Sequence, residues 1–346
     1  MENTDNRSIL LIYTGGTIGM KTDAATGALA PFDFSSIYDE FPALRSLDIR
    51  IDVHPFEPID SSNVTPELWV QLAEIIREKY AAYDGFVVLH GTDTMSFSAS
   101  ALSYALQNLE KPVVFTGSQI PIGVLRTDGR ENLITAIELA AARCAEDGQA
   151  MAPEVSLYFQ NKLFRGNRTS KFSAEEFGAF RSDNYPALAE VGVNIHYNRA
   201  AILRPSAPTE KLRICTHFDP NVAIVKIFPG LTQTTLRAIL GAANVRGVVL
   251  ETYGAGNAPT AGWFIDTLRE TIARGVVVVN VSQCQSGTVN MELYETGMQM
   301  QQIGVVGGRD MTTEAAVTKL MYLLGLGLMP QEVAARMGGS LRGELS

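Results

Sequence analysis

The chain has 346 residues, 46% of them hydrophobic, and a net charge of −9 from 28 basic and 37 acidic side chains. That length allows about two domains, and an acidic balance with no basic tract argues against nucleic acid and anionic membrane surfaces as partners. Three scattered cysteines, Cys144, Cys215 and Cys284, read as reduced thiols of a cytoplasmic protein, and four distant histidines, His54, His90, His196 and His217, offer no metal cluster.

The first eight residues are polar. The apolar run 9–13 behind them is too short for a signal-peptide core or a membrane span, and it reads as a buried strand. It ends in Thr14-Gly15-Gly16-Thr17. Residues 21–27 are small, polar and aperiodic, which suits a lid beside a reactive site as well as a plain surface loop. Thr65-Pro66-Glu67 opens a helix, with Thr as cap, Pro in the first turn and Glu complementing the dipole. Leu68, Leu72, Ile75 and Ile76 give that helix an apolar face. A second buried strand over 86–90 ends in Gly91-Thr92-Asp93-Thr94 and is followed by a helix over about 95–108. A third, over 113–115, ends in Thr116-Gly117-Ser118 and is followed by a helix over about 130–143.

Such alternation predicts an α/β fold whose larger N-terminal domain, residues 1–197, is a mostly parallel sheet flanked by helices. Residues 198–212, with Pro205 and Pro208, have linker character. A smaller C-terminal α/β domain over 213–346 has strands at 223–228, 247–250 and 276–281, a helix over about 263–273 and another from Thr313.

In an open parallel sheet the strand C-termini share one edge, where ligands bind. Three separate segments would there deliver hydroxyls, backbone N–H groups and one carboxylate to a single crevice. Threonine is a nucleophile once a base removes its proton, so the layout suits acyl transfer. On spacing alone, Thr17 serves equally well as a helix N-cap. Asp93 suits a cap or a grip on a substrate ammonium group. His90 is better read as a hydrogen-bonded core residue than as a base. No G-x-G-x-x-G can be drawn at Gly15-Gly16, so a dinucleotide-binding oxidoreductase lacks its fingerprint.

The runs Thr14-Gly15-Gly16-Thr17-Ile18-Gly19 and His90-Gly91-Thr92-Asp93-Thr94-Met95 resemble the two signatures of the bacterial-type L-asparaginases. Asp60-Ser61-Ser62-Asn63 resembles the loop that holds the substrate carboxylate. Arg165–Lys171 resembles the segment that supplies a catalytic lysine, and Tyr253–Asn257 a loop that faces a neighbouring subunit's site. Ser61-Ser62, Gly117-Ser118-Gln119-Ile120-Pro121 and Arg165-Gly166-Asn167-Arg168-Thr169 are similar to the cytosolic type I branch. The resemblance implies hydrolysis of L-asparagine without metal or cofactor, by a homodimer or homotetramer. It implies Thr17 as nucleophile and Thr92, Asp93 and Lys171 as a second triad, in which a neutral Lys171 takes the proton of Thr92. Asp93 would hold the substrate ammonium group, and Ser61 and Ser62 its carboxylate. Backbone near Gly16, Gly91 and Thr92, with Ser118 and Asn257, would complete the binding site.

Two positions depart from the pattern. Periplasmic members carry a lid tyrosine, and residues 27–31 hold none; Tyr294 is the match to a C-terminal-domain tyrosine that takes its role in animal type I enzymes. Glu251 stands where some bacterial type I members have an arginine of an allosteric asparagine site, so that regulation is not expected. Two rival readings are the asparaginase-like subunit of an archaeal tRNA-dependent amidotransferase, which would want an extra N-terminal domain, and a non-catalytic amino-acid-binding module, against which the full set of polar residues speaks.

Overall fold

The computed structural model describes residues 7–22, 29–31, 34, 37–204 and 210–346. The chain divides into two compact units, Met1–Ser182 with Pro186–Thr216, and Asp183–Tyr185 with His217–Ser346.

The first unit is built on eight strands: β1 (Arg7–Tyr13), β2 (Ile49–His54), β3 (Gly85–Leu89), β4 (Val113–Thr116), β5 (Val155–Phe159), β6 (Lys162–Arg165), β7 (Ala189–Val191) and β8 (Ile195–Tyr197). Residues 9–12 and 86–89 are apolar without alternation and at most 2% exposed, as strands covered on both faces must be. The sheet order is β8-β7-β6-β5-β4-β3-β1-β2. Pairings from β5 to β2 are parallel, and β6, β7 and β8 add an antiparallel margin. From β1 the chain goes to β2 on one side and returns to β3 on the other. The sheet therefore reverses its order between β1 and β3, and the loops after these two strands flank a crevice.

Helices α1 (Pro66–Lys79), α2 (Met95–Ala105) and α3 (Gly129–Ala141) follow β2, β3 and β4. Leu68, Leu72 and Ile76 of α1 are buried. Thr65 occupies the N-cap with extended backbone angles, yet its hydroxyl makes no capping bond to the helix. The Thr65 side chain holds the nearby Glu67 carboxyl below its usual range. Residues 23–28 of the expected lid lie outside the described residues; the flanking Met20–Thr22 and Leu29–Pro31 form an antiparallel ladder.

In the second unit β9 (Val222–Lys226), β10 (Gly247–Thr252), β11 (Val277–Ser282) and β12 (Val306–Gly307) lie in that order, all parallel. Helices α4 (Gln233–Leu240), α5 (Gly262–Ala273), α6 (Glu295–Gln302), α7 (Thr313–Gly325) and α8 (Pro330–Met337) complete it. Its core includes Val248, Leu250, Phe264, Leu268, Val278 and Met300. Thr232 and Thr312 cap α4 and α7 with their hydroxyls. Arg213 and Ile214, expected to open the second domain, pair with Gln107 and Leu106 in the first unit. Both linker prolines fall within 205–209, outside the described residues. Asn184 groups its short segment with the second unit by accepting from the Gly287 amide at 2.8 Å and donating to the Asp310 carbonyl at 3.1 Å. Among the described residues no helix is long and apolar enough to cross a membrane.

One ion pair closes the second unit. Lys319 of α7 and Glu344 meet at 2.6 Å with both side chains 0% exposed. The ammonium also donates to the carbonyls of Met337 and Gly339, and the carboxylate accepts from the amides of Leu341 and Arg342. Burial lowers the Lys319 pKa while Glu344 opposes the shift. Removing one member of such a pair strands a buried charge and costs about 3–5 kcal/mol, whereas replacing both by apolar groups is often neutral. Lys319→Met and Glu344→Gln are each expected to lower the urea midpoint sharply, and Lys319→Met/Glu344→Leu to recover most of the loss. Equal midpoints for the single and double variants in a denaturation series would show that the pair is not coupled.

Candidate active site

The loops after β1 and β3 touch through backbone. Gly16 has φ +88°, and a Cβ placed on it would lie 2.5 Å from the Cα of Gly91. A side chain there would be strained in conformation and would force the loops apart. Gly91 in turn has no room for a Cβ, which would lie 2.5 Å from both Cβ and Oγ of Ser61. The amide of Thr14 bonds to the Leu89 carbonyl at 2.9 Å, and that of Ile59 to the Thr14 carbonyl at 2.8 Å. Segments carrying Thr17, Ser61 and Thr92 are thereby held side by side. Thr17 opens a short 3-10 turn whose N-cap position is Gly16, so it is not the cap. Thr17 is exposed, and among the described residues its hydroxyl has no hydrogen-bond partner.

Lys171 reaches the same place from 78 residues beyond Asp93. Its Nζ lies 2.6 Å from Oδ1 of Asp93 and 2.8 Å from Oγ1 of Thr92. The lysine side chain is 20% exposed and the aspartate 65%. The segment before it is anchored twice. Arg165 pairs with buried Glu154 at 2.7 Å, and Thr169 bonds to the Gly166 carbonyl and to Ser96 of α2. Ser170–Lys171 then pairs with Phe180–Arg181. Ser61 is buried and its carbonyl accepts from the Thr94 hydroxyl at 2.8 Å. Ser62 is exposed; its amide and hydroxyl both donate to Asp60, each at 2.8 Å, which keeps the Asp60 carboxyl below its usual range.

Further residues brace the loops around the crevice. His90 is 1% exposed. Its Nδ1 lies 2.8 Å from the Gly91 carbonyl and its Nε2 2.9 Å from Oγ of Ser98, which also takes the indole N–H of Trp69 at 3.0 Å. A carbonyl can only accept, so the imidazole proton is assigned to Nδ1 and the Ser98 hydroxyl donates to Nε2. Burial pushes the His90 pKa down to about 4, in keeping with a neutral ring. The expectation of a hydrogen-bonded core residue matches this geometry. Ser118 is buried and its hydroxyl donates to the Ile120 carbonyl at 2.6 Å. The turn it belongs to is held by Asp128, which accepts from the amides of Gln119 at 3.0 Å and Ile120 at 3.1 Å, and by Asn132, which donates to the Gly117 carbonyl at 2.9 Å. Asp128 directly precedes α3 and looks like a helix cap; it makes no capping bond.

Asn257 and Tyr294 belong to the second unit. The Asn257 side-chain oxygen accepts from the Thr296 hydroxyl at 2.7 Å and the Ala258 amide at 3.0 Å. Tyr294 precedes α6 and is 47% exposed. Glu251 accepts from the Thr313 hydroxyl at 2.6 Å and faces the Lys226 ammonium at 3.8 Å. Among the described residues no three His, Cys, Asp or Glu side chains gather as a metal site.

Comparison with known proteins agrees with the motifs. The family described as Asparaginase, N-terminal matches residues 8–203, and Glutaminase/Asparaginase C-terminal domain matches residues 221–337. L-asparaginase 1 of Escherichia coli (strain K12) is 43% identical over 348 residues, covering 98% of each chain. The 60 kDa lysophospholipase of Mus musculus is 41% identical over 98% of this chain and 63% of its own length. The crystal structure of L-asparaginase I from Vibrio cholerae superposes with a TM-score of 0.88 at 38% identity, covering 98% of this chain and 99% of the other. Two domain matches, a full-length relative and a shared fold lead to one conclusion: the chain belongs to the asparaginase family, in its N-terminal and C-terminal domains alike.

Proposed function

We propose that this protein hydrolyses the side-chain amide of L-asparagine, giving L-aspartate and ammonia. Family membership supports the reading. The observation that carries it is the Lys171–Thr92–Asp93 cluster, next to a loop whose Thr17 hydroxyl is unengaged among the described residues. In the proposed reaction Oγ1 of Thr17 attacks the amide carbon, and the oxyanion is held by backbone N–H groups near Gly91 and Thr92. The C–N bond breaks, the departing nitrogen takes up the Thr17 hydroxyl proton and leaves as ammonia, and a β-aspartyl ester remains on Thr17. Water then attacks the ester carbon and passes its proton through the Thr92 hydroxyl to the Lys171 amine, a route that the 2.8 Å contact between them suits. The bond from the acyl carbon to Thr17 Oγ1 breaks, Oγ1 takes the proton back from Lys171, and L-aspartate is released. Asp93, exposed beside the lysine, takes the substrate ammonium group, and Ser61 and Ser62 take its α-carboxylate. We place the reaction in the reducing cytoplasm, a setting to which the free Cys144, Cys215 and Cys284 are suited.

Nothing in this scheme calls on a metal. Purified protein is expected to release ammonia from L-asparagine in the presence of EDTA as fast as without it, and from L-glutamine more slowly. Loss of turnover on chelation would overturn the metal-free scheme, and no ammonia from either amide would overturn the assignment.

Thr17→Val removes the attacking oxygen at nearly constant shape and is expected to abolish turnover. Lys171→Met removes the proton acceptor, and a general base is worth about 10²–10⁴-fold. Circular dichroism should match the unsubstituted protein in both cases. Near-normal turnover by Thr17→Val would remove Thr17 from the role of nucleophile.

We assign to Tyr294 the part of the absent lid tyrosine, orienting the Thr17 hydroxyl. In support, the phenol is half exposed and, among the described residues, carries no hydrogen bond. Tyr294→Phe should lower kcat more than it raises KM, as for an interaction made mainly in the transition state. Kinetics equal to those of the unsubstituted enzyme would reduce Tyr294 to a packing residue.

A further inference from the structure

The carbonyl of Gly91 is turned inward. It accepts from Nδ1 of His90 at 2.8 Å, and the ring is fixed from its other side by Ser98 and Trp69. All donors in this chain run one way, from the indole N–H to the serine hydroxyl, to the imidazole and to the carbonyl, so each bond polarises the next. The described peptide bonds include no cis bond. In a trans peptide the C=O and the following N–H point in opposite directions. The inward Gly91 carbonyl therefore turns the Thr92 N–H away from the buried ring. No acceptor among the described residues takes that N–H, and Thr92 is only half-buried, so the amide is open to a ligand. An unpaired amide beside Thr92 Oγ1 and Lys171 Nζ is a donor kept for a ligand.

We infer that His90 is a positioning residue for the reaction proposed above, aiming the Thr92 amide at the developing oxyanion through its hold on the Gly91 carbonyl. His90 itself touches no reacting atom. The role uses the neutral Nδ1–H tautomer, which the Trp69–Ser98 pair enforces and burial protects.

Two conservative variants separate the ends of the ring. In His90→Asn the side-chain nitrogen can take the place of Nδ1 and keep the bond to Gly91 while losing Ser98. In His90→Gln the terminal group can reach Ser98 in place of Nε2 and loses Gly91. Loss of one oxyanion donor typically costs about 10²–10³-fold in kcat. His90→Gln is expected to lose on that order with KM for L-asparagine little changed, and His90→Asn to stay within about tenfold of the unsubstituted enzyme, although glutamine is nearer histidine in size. A role in packing alone predicts the reverse order or equal losses, and either result would overturn the inference. A second measurement does not need the variants to fold. In protein labelled with ¹⁵N-threonine, the Thr92 amide resonance should move when L-aspartate saturates the site; an unmoved resonance would overturn the inference. If unsubstituted protein releases no ammonia from L-asparagine, the underlying reaction falls. If it is active and the two variants fall equally, only the role of His90 does.

Discussion

The site depends on a backbone contact between two glycines. A Cβ on Gly16 would lie 2.5 Å from the Cα of Gly91, and one on Gly91 would lie 2.5 Å from Ser61, so neither loop admits a side chain at that point. Parallel sheets bring strand ends to a common edge, but loops with side chains would hold the following residues apart. Removing both side chains lets Thr17 and Thr92, each one residue further along, occupy one crevice. The contact also lies where the strand order reverses, between β1 and β3, the edge at which open parallel sheets bind ligands.

A single helix sets the remaining geometry. Thr92 and Asp93 precede α2, and the segment leading to Lys171 packs on the start of the same helix, with Gly166 against Ala99 and Thr169 bonded to Ser96. The 2.6 Å pair of Lys171 with Asp93 is thus set by short, local connections despite a long sequence separation. Asp93 is 65% exposed, so solvent screens the attraction and it adds little to stability. The pair's value lies in fixing where the amine stands relative to the Thr92 hydroxyl.

Strands β1, β3 and β4 were legible because they are covered on both faces and carry no alternation; β2, with charged residues at alternate positions, and β5 were not. Residues 9–12 and 86–89 are continuous apolar runs of strand length, and the glycine–threonine turns behind them marked the site edge. The antiparallel margin was not legible: β7 and β8 are three residues each, too short to show a period. Lys171 sits on a two-residue strand and was identified through resemblance alone, since an isolated lysine carries no pattern. The Thr65 cap was read from residue type; it holds the N-cap position, but its hydroxyl makes no bond to the helix. Asp128 and the Trp69–Ser98–His90 chain act across loops and helices far apart in sequence, and such partnerships leave no trace in spacing. The division near residue 213 shifted because Arg213 and Ile214 extend a ladder with Leu106 and Gln107, a pairing of two residues that composition cannot signal.

The second unit shows why sheet topology alone does not make a catalytic edge. It too is parallel, with glycine-containing turns beyond β10 and β11. There, however, the polar groups are spent on one another. The Thr252 hydroxyl donates to Asn280 at 2.6 Å, and Asn280 donates to the Gly256 carbonyl at 3.1 Å. Gln283 bonds to the carbonyls of Ile227 and Glu251, and Ser282 to that of Gly254. An edge satisfied in this way is rigid and offers little to a substrate, since a ligand would have to displace bonds already made. In the first unit the buried bonds are also complete, from Trp69 to Gly91, but they stop one group short of the crevice. Among the described residues Thr17 Oγ1 and the Thr92 amide are left over, and the proposed reaction uses them for attack on the amide carbon and support of its oxyanion.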